Sequence, residues 1–109
     1  MKQIVIPTNK GIKIVLAQNI IRVEASSSYS KIYFSNEQPL TVAKVLHWFE
    51  EKLPDDFFYR IHQTHIINRH FVKEVSCTNM LKMTTGEQIQ VSRRKKTAFI
   101  SMMARIAAD

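Results

Sequence analysis

Residues 20–35 read IIRVEASSSYSKIYFS, and the fold turns on whether they form helix or strand. Two runs rich in β-branched and aromatic residues, IIRVEA at 20–25 and YSKIYFS at 29–35, flank a serine run at 26–28. That is the pattern of two strands joined by a turn. In the second run Ile32 and Phe34 share one face, while Tyr29, Lys31, Tyr33 and Ser35 share the other. Residues 37–39, EQP, break the strand.

Upstream, QIVIP at 3–7 and IKIVL at 12–16 flank the polar turn TNKG at 8–11. Downstream, VKEVSC at 72–77, MLKMT at 80–84 and QIQVS at 88–92 are separated by TN and TGE turns. Two segments follow a helical period instead. In TVAKVLHWFEEKL at 41–53, Val42, Val45, Leu46, Phe49 and Leu53 line one stripe. Thr41 is suited to cap its start, Pro54 closes it, and His47, Glu50 and Glu51 lie off the stripe. In RRKKTAFISMMARIA at 93–107, Phe99, Met102, Met103 and Ile106 make a sparser stripe, with Ser92 placed as N-cap. The pattern predicts a mainly β protein of about seven to nine strands and two helices. The helices are too far apart in sequence for a helix-turn-helix.

The 109 residues, 45% of them apolar, suit a single domain spanning 1–109 with one modest core. No apolar run approaches the roughly 18 residues that cross a membrane. The start, MKQIVIPTNK, has no signal-peptide h-region, and the single cysteine, Cys77, cannot form an internal disulfide. A cytoplasmic protein with no membrane partner is expected. With two glycines, Gly11 and Gly86, a dinucleotide loop, a phosphate loop and a nucleophile elbow are excluded.

Net charge is +7 and the pI about 9.8. Residues 1–59 carry net +1 and residues 60–109 net +6, so the second half builds most of any basic surface. A polyanionic partner and a merely basic soluble surface both fit the charge alone.

His62, His65 and His70 are close in sequence. On one strand, positions i and i+3 point to opposite faces, which separates His62 from His65, and a structural zinc site needs four ligands. Glu50 with Glu51 and Asp55 with Asp56 read as solvated charge. No nucleophile is linked locally to a base. No metal, cofactor or catalytic residue is expected, and the protein is not expected to be an enzyme.

The basic residues are more telling. Lys31 projects between aromatic residues; Arg60, Gln63, Asn68 and Arg69 cluster; and residues 93–96 put four cations in the first turn of a helix, the end that disfavours them. Arg pairs with guanine and Asn or Gln with adenine, and all of them can hold phosphates. For Arg60 an ion pair with Asp55 or Asp56 is the preferred reading, and Asn68 is equally suited to cap a turn. A second class of function is a small basic β domain binding RNA or an acidic protein, with Tyr29, Tyr33 and Phe34 as stacking aromatics. Against it, Tyr33 and Phe34 point to opposite faces of their strand.

The stretch FYRIHQTHIIN at 58–68, with later strands and VSRR at 91–94, resembles the LytTR DNA-binding domain of bacterial response regulators. The family pattern is approximately F-x-R-x-H-x-S-x-x-x-N, matched here by Phe58, Arg60, His62, Thr64 in place of Ser, and Asn68. IIRVEA and Tyr29 resemble the family's strand and short loop, so the likeness covers nearly all of residues 5–105. It implies an elongated fold of about ten strands in three small antiparallel sheets, with a peripheral helix at 41–53 and a C-terminal helix at about 93–107. It implies sequence-specific duplex DNA binding through loops inserted in the major groove. The implied base contacts are Ser30, Gln63 and Arg93, although some members carry a larger side chain at the position of Ser30. Tyr29, Lys31, Asn68, Arg69, Arg94, Lys95 and Lys96 are then expected on the DNA backbone, with five or six phosphate contacts per protomer. The family also implies homodimers or paired monomers on direct repeats, and an upstream receiver or sensor domain, for which these residues leave no room.

Overall fold

The alternation around residue 32 becomes the middle of a five-stranded sheet in a computed structural model that describes residues 2–108, with side chains described as far as Arg105. In chain order the described strands are β1 (Gln3–Thr8), β2 (Gly11–Leu16), β3 (Ile20–Ser26), β4 (Tyr29–Phe34), β5 (Leu40–Val42), β6 (Phe58–His62), β7 (His65–Asn68), β8 (Val72–Val75), β9 (Met80–Met83) and β10 (Gln88–Gln90). Two helices, α1 (Leu46–Lys52) and α2 (Lys96–Ala108), complete the fold. The strands pair antiparallel as a β1–β2 hairpin, the sheet β5-β4-β3-β7-β6 and the sheet β10-β9-β8. The molecule is elongated, 43 × 30 × 24 Å.

The period-2 pattern of the central sheet sends apolar residues to both of its faces, and each face carries a core. One gathers Ile20, Val23, Ile32, Phe34 and Ile66 under the β1–β2 hairpin (Ile4, Ile6, Val15) and α1 (Leu46, Phe49). The other gathers Ile21, Ile61 and Ile67 against the three-stranded sheet (Leu81, Met83, Ile89) and α2 (Phe99, Met102). In β4 the buried positions are Ser30, Ile32 and Phe34, the parity expected from the sequence. The β9–β10 turn carries Gly86 at φ 101°, a conformation that L side chains rarely adopt.

The helix expected over 41–53 is shorter than the stripe suggested. Thr41 and Val42 belong to β5, opposite Lys31 and Ser30 of β4, and Val45 is extended, exposed and without a side-chain cap. Thr41 therefore caps nothing. The β-branched residues Thr41 and Val42 fit a pleated edge better than a helix. Val42 still reaches the same core as Leu46 and Phe49, which is why the helical spacing looked convincing. At the other end, Arg93–Lys95 is a 3-10 turn, so α2 starts at Lys96, and the Ser92 side chain makes no capping bond. Phe99 and Met102 are buried and Met103 partly so; Ile106 lies outside the residues whose side chains are described.

Candidate nucleic-acid interface

Three segments meet at one end of the five-stranded sheet. A turn at 27–28 joins β3 to β4, with Ser27 at φ 57°. A turn at 63–64 joins β6 to β7. Glu24 of β3 stands opposite both Lys31 of β4 and His65 of β7, so both turns lie beyond the same end of β3. The Ala25 N–H donates to the Thr64 carbonyl at 2.8 Å and ties them together. The third segment follows β10: the Ser92 N–H donates to the Ile61 carbonyl at 2.8 Å, which brings the next residues beside Gln63. Gln63, Arg94 and Lys95 line one open concavity with Glu50, Arg60, His62 and Ser92. Gln63, Tyr29, Lys31 and the four cations at 93–96 are exposed. An exposed amide beside free cations can bond to base edges and attract phosphates.

Other expected contacts do not join this surface. Ser30 is fully buried and its hydroxyl donates to the Lys44 carbonyl at 2.6 Å, so it cannot meet a base. Its parity with Ile32 already sends it inward. Asn68 is fully buried too; its amide donates to the Ile20 carbonyl and its oxygen accepts the His70 N–H, both at 2.9 Å. It caps the 3-10 turn Arg69–Phe71 and holds no phosphate. Arg69 begins that turn at the far end of β7 from residues 63–64. At about 3.4 Å per residue the strand separates it by some 13 Å from the converging segments. Arg60 is paired, but with Glu50 at 2.8 Å rather than with Asp55 or Asp56, and it also donates to the Gln63 carbonyl at 2.8 Å.

Behind the 63–64 turn lies a polar chain. Arg22, only 6% exposed, stacks its guanidinium 3.8 Å from the Tyr33 ring centroid. It pairs with Glu24 at 2.7 Å and approaches Glu87 at 3.7 Å, and Glu24 in turn meets His65 Nε2 at 3.1 Å. Among the described residues, Arg22 Nε is the buried side-chain nitrogen without a hydrogen-bond partner. His62 and His65 lie on neighbouring strands as a cross-strand pair, with ring centroids 6.3 Å apart. The single-strand argument that separated them fails because the chain turns between them. No group of three His, Cys, Asp or Glu side chains converges among the described residues.

The sequence model of the LytTr DNA-binding domain matches residues 10–104. The chain belongs to the LytTR DNA-binding domain family. The transcriptional regulatory protein LytR of Staphylococcus aureus (strain N315) is 34% identical over 80 residues, 70% of this chain and 32% of LytR. The sensory transduction protein LytT of Bacillus subtilis (strain 168) is 39% identical over 57 residues, 49% of this chain and 24% of LytT. A solved LytTr DNA-binding domain from Bacillus cereus superposes with a TM-score of 0.79 at 24% identity, covering 94% of this chain and 97% of that one. At that identity the likeness speaks to the fold, and the ten strands in three antiparallel sheets agree with it. The chain spans about a third of the length of the LytR relatives. No described helix is long and apolar enough to cross a membrane.

In this LytTR domain Tyr29, Tyr33 and Phe34 do not form a stacking platform. Tyr33 is covered by Arg22, Phe34 is buried, and of the three aromatics considered Tyr29 alone is largely exposed. The Arg22, Glu24 and His65 chain was missed in the sequence. Its local signal is the alternating pair R-x-E inside an otherwise apolar strand, which points to an ion pair on one face.

The chain also sets a pH response. Burial pushes the His65 imidazole below its usual 6.5, and Arg22 and His62 push the same way, against the opposing pull of Glu24. Burial raises the Glu24 carboxyl, but hydrogen bonds and charge from Arg22 and His65 outweigh it and hold it below 4.5. Below about pH 6.5 the unfolded chain therefore takes up a proton that folded His65 refuses, so stability falls as pH is lowered from 7 through the folded value. The expected result is a falling thermal midpoint between about pH 7 and 5 that flattens in His65→Gln, followed by a further loss below about pH 4.5 as Glu24 protonates.

Proposed function

We propose that this domain binds duplex DNA sequence-specifically as the output part of a cytoplasmic bacterial transcriptional regulator. Gln63 and Arg93 read base edges in successive major grooves; Lys31, Arg94, Lys95 and Lys96 hold phosphates, with Tyr29 at the flank. The observation that supports this most is the convergence of the 63–64 turn with the basic segment, held by the Ser92 to Ile61 bond. The run of cations is unfavourable at the start of a free helix, but beside a phosphate chain both the cations and the open N–H groups attract the anion. Paired protomers on direct repeats about one helical turn apart, and a receiver or sensor domain elsewhere in the full protein, belong to the same reading.

Base and phosphate roles separate under mutation. Arg93→Ala is expected to cost roughly 1–3 kcal/mol on a preferred duplex and to relax the preference at one base pair. Lys96→Ala is expected to weaken preferred and random duplexes alike. Fluorescence anisotropy on both duplexes distinguishes the two, and equal losses on both for Arg93→Ala would remove it as a base reader.

A further inference from the structure

The turn at 63–64 is two residues long, a length that normally calls for positive φ at one or both positions so that the turn follows the strand twist. Neither Gln63 nor Thr64 has it; among the described non-glycine residues, positive φ occurs at Ser27 and Asn79. Side chains hold the turn instead. Arg60 donates to the Gln63 carbonyl. Thr64 Oγ1 stands 2.9 Å from Nδ1 of both His62 and His65. The Thr64 N–H also lies 3.2 Å from His62 Nδ1.

The protons on this bridge can be assigned. Glu24 is ionised, so His65 Nε2 carries the proton it gives to Oε1 at 3.1 Å. Neutral His65 then presents a lone pair at Nδ1, and the Thr64 hydroxyl donates to it. The remaining lone pairs of Oγ1 face His62, whose Nδ1 donates to Oγ1 or accepts the Thr64 N–H. When His62 Nδ1 donates, the hydroxyl locks the residue after Gln63 between two rings; when His62 Nδ1 accepts, the hydroxyl holds His65 and the Thr64 N–H holds His62. One of those rings is anchored through Glu24 to buried Arg22. The charged groups around this clamp are Arg22 and Glu24 of β3, Arg60 of β6, Glu50 of α1, and Arg94 and Lys95.

We propose that Thr64 is a positioning residue for base reading, its hydroxyl bridging His62 and His65 and so fixing the direction in which Gln63 leaves the turn. The inference rests on the reading of Gln63 as a base contact. A side chain that reads an edge must be held to within a fraction of an ångström, and a looser turn must be ordered anew at each encounter.

Thr64→Val keeps the shape and removes the hydroxyl, while Thr64→Ser keeps the hydroxyl. The whole 109-residue chain is used, with a duplex recovered by the wild type from a random pool and a scrambled duplex as control. Thr64→Val is expected to bind the recovered duplex about tenfold more weakly and the scrambled one unchanged, with Thr64→Ser within about twofold of wild type on both. In the free protein, the ring-nitrogen resonances of His62 and His65 are expected to shift in Thr64→Val and return in Thr64→Ser. Thr64→Val binding the recovered duplex as tightly as wild type, losing equally on both duplexes, or leaving the histidine resonances unmoved would each overturn the proposal. If the wild type itself recovers no preferred duplex, the base-reading function fails first and takes this role with it, an outcome distinct from a selective wild type with an equally selective Thr64→Val.

Discussion

Between about 50 and 200 mM salt, affinity for duplex DNA is expected to fall roughly two- to three-hundredfold. The estimate follows from counting cations at the converging end of the sheet. Lys31, Arg93, Arg94, Lys95 and Lys96 are exposed there and, among the described residues, none is in an ion pair. Arg69 is excluded because it stands at the other end of β7. Four or five neutralised phosphates, at about 0.9 per phosphate, give a log–log slope of about −4. The five or six contacts expected from the sequence correspond to about −5, and the difference is the removal of Arg69. A titration across that salt range reads the slope directly, and a value near zero would mean that these cations do not meet phosphates.

Phe49→Ala is expected to lower unfolding free energy by about 3–5 kcal/mol in a urea titration. Phe49 has no exposed surface and packs edge-on against Trp48 with ring centroids 4.9 Å apart. Helix α1 has seven residues, too few to persist without tertiary contacts, so Leu46, Phe49 and Leu53 hold it against the sheet. A cost of that size is a large share of the roughly 5–15 kcal/mol that stabilises a small domain. It also reaches the binding end, because Glu50 on the same helix orients Arg60, which holds the Gln63 carbonyl. Selective DNA binding is therefore expected to weaken at temperatures where the fold is still intact. A loss under about 1 kcal/mol would show that the site collapses to fill the space.

How much of this could be read in the residues depends on what kind of information each feature carries. β4 was legible because its period-2 alternation is strict, and β9 and β10 because short β-rich runs are bounded by polar turns. The 41–53 stretch misled because Val42 in a strand and Leu46 in a helix bury against the same core; spacing cannot distinguish one helix from a strand that bends into one. Ser30 and Asn68 were assigned by chemical type and by place in a motif, although their side chains are turned into the protein. For Ser30 the parity with Ile32 outranked the motif. Arg69 was grouped with its neighbours in sequence, yet a strand's length divides it from Gln63. Glu24 and His65 are 41 residues apart in sequence, and only the pairing of β3 with β7 brings them together. The convergence of Gln63 with residues 93–95 is likewise a product of sheet register, and no local pattern encodes it.

If one end of the five-stranded sheet reads DNA sequence, equilibrium selection of bound duplexes from a random pool at about 150 mM salt will enrich a short shared motif. One base pair of it is expected to be strongly specified, with a preference that disappears when the selection is repeated with Arg93→Ala. A pool that is retained but stays random in sequence, or a motif unchanged by Arg93→Ala, would contradict it.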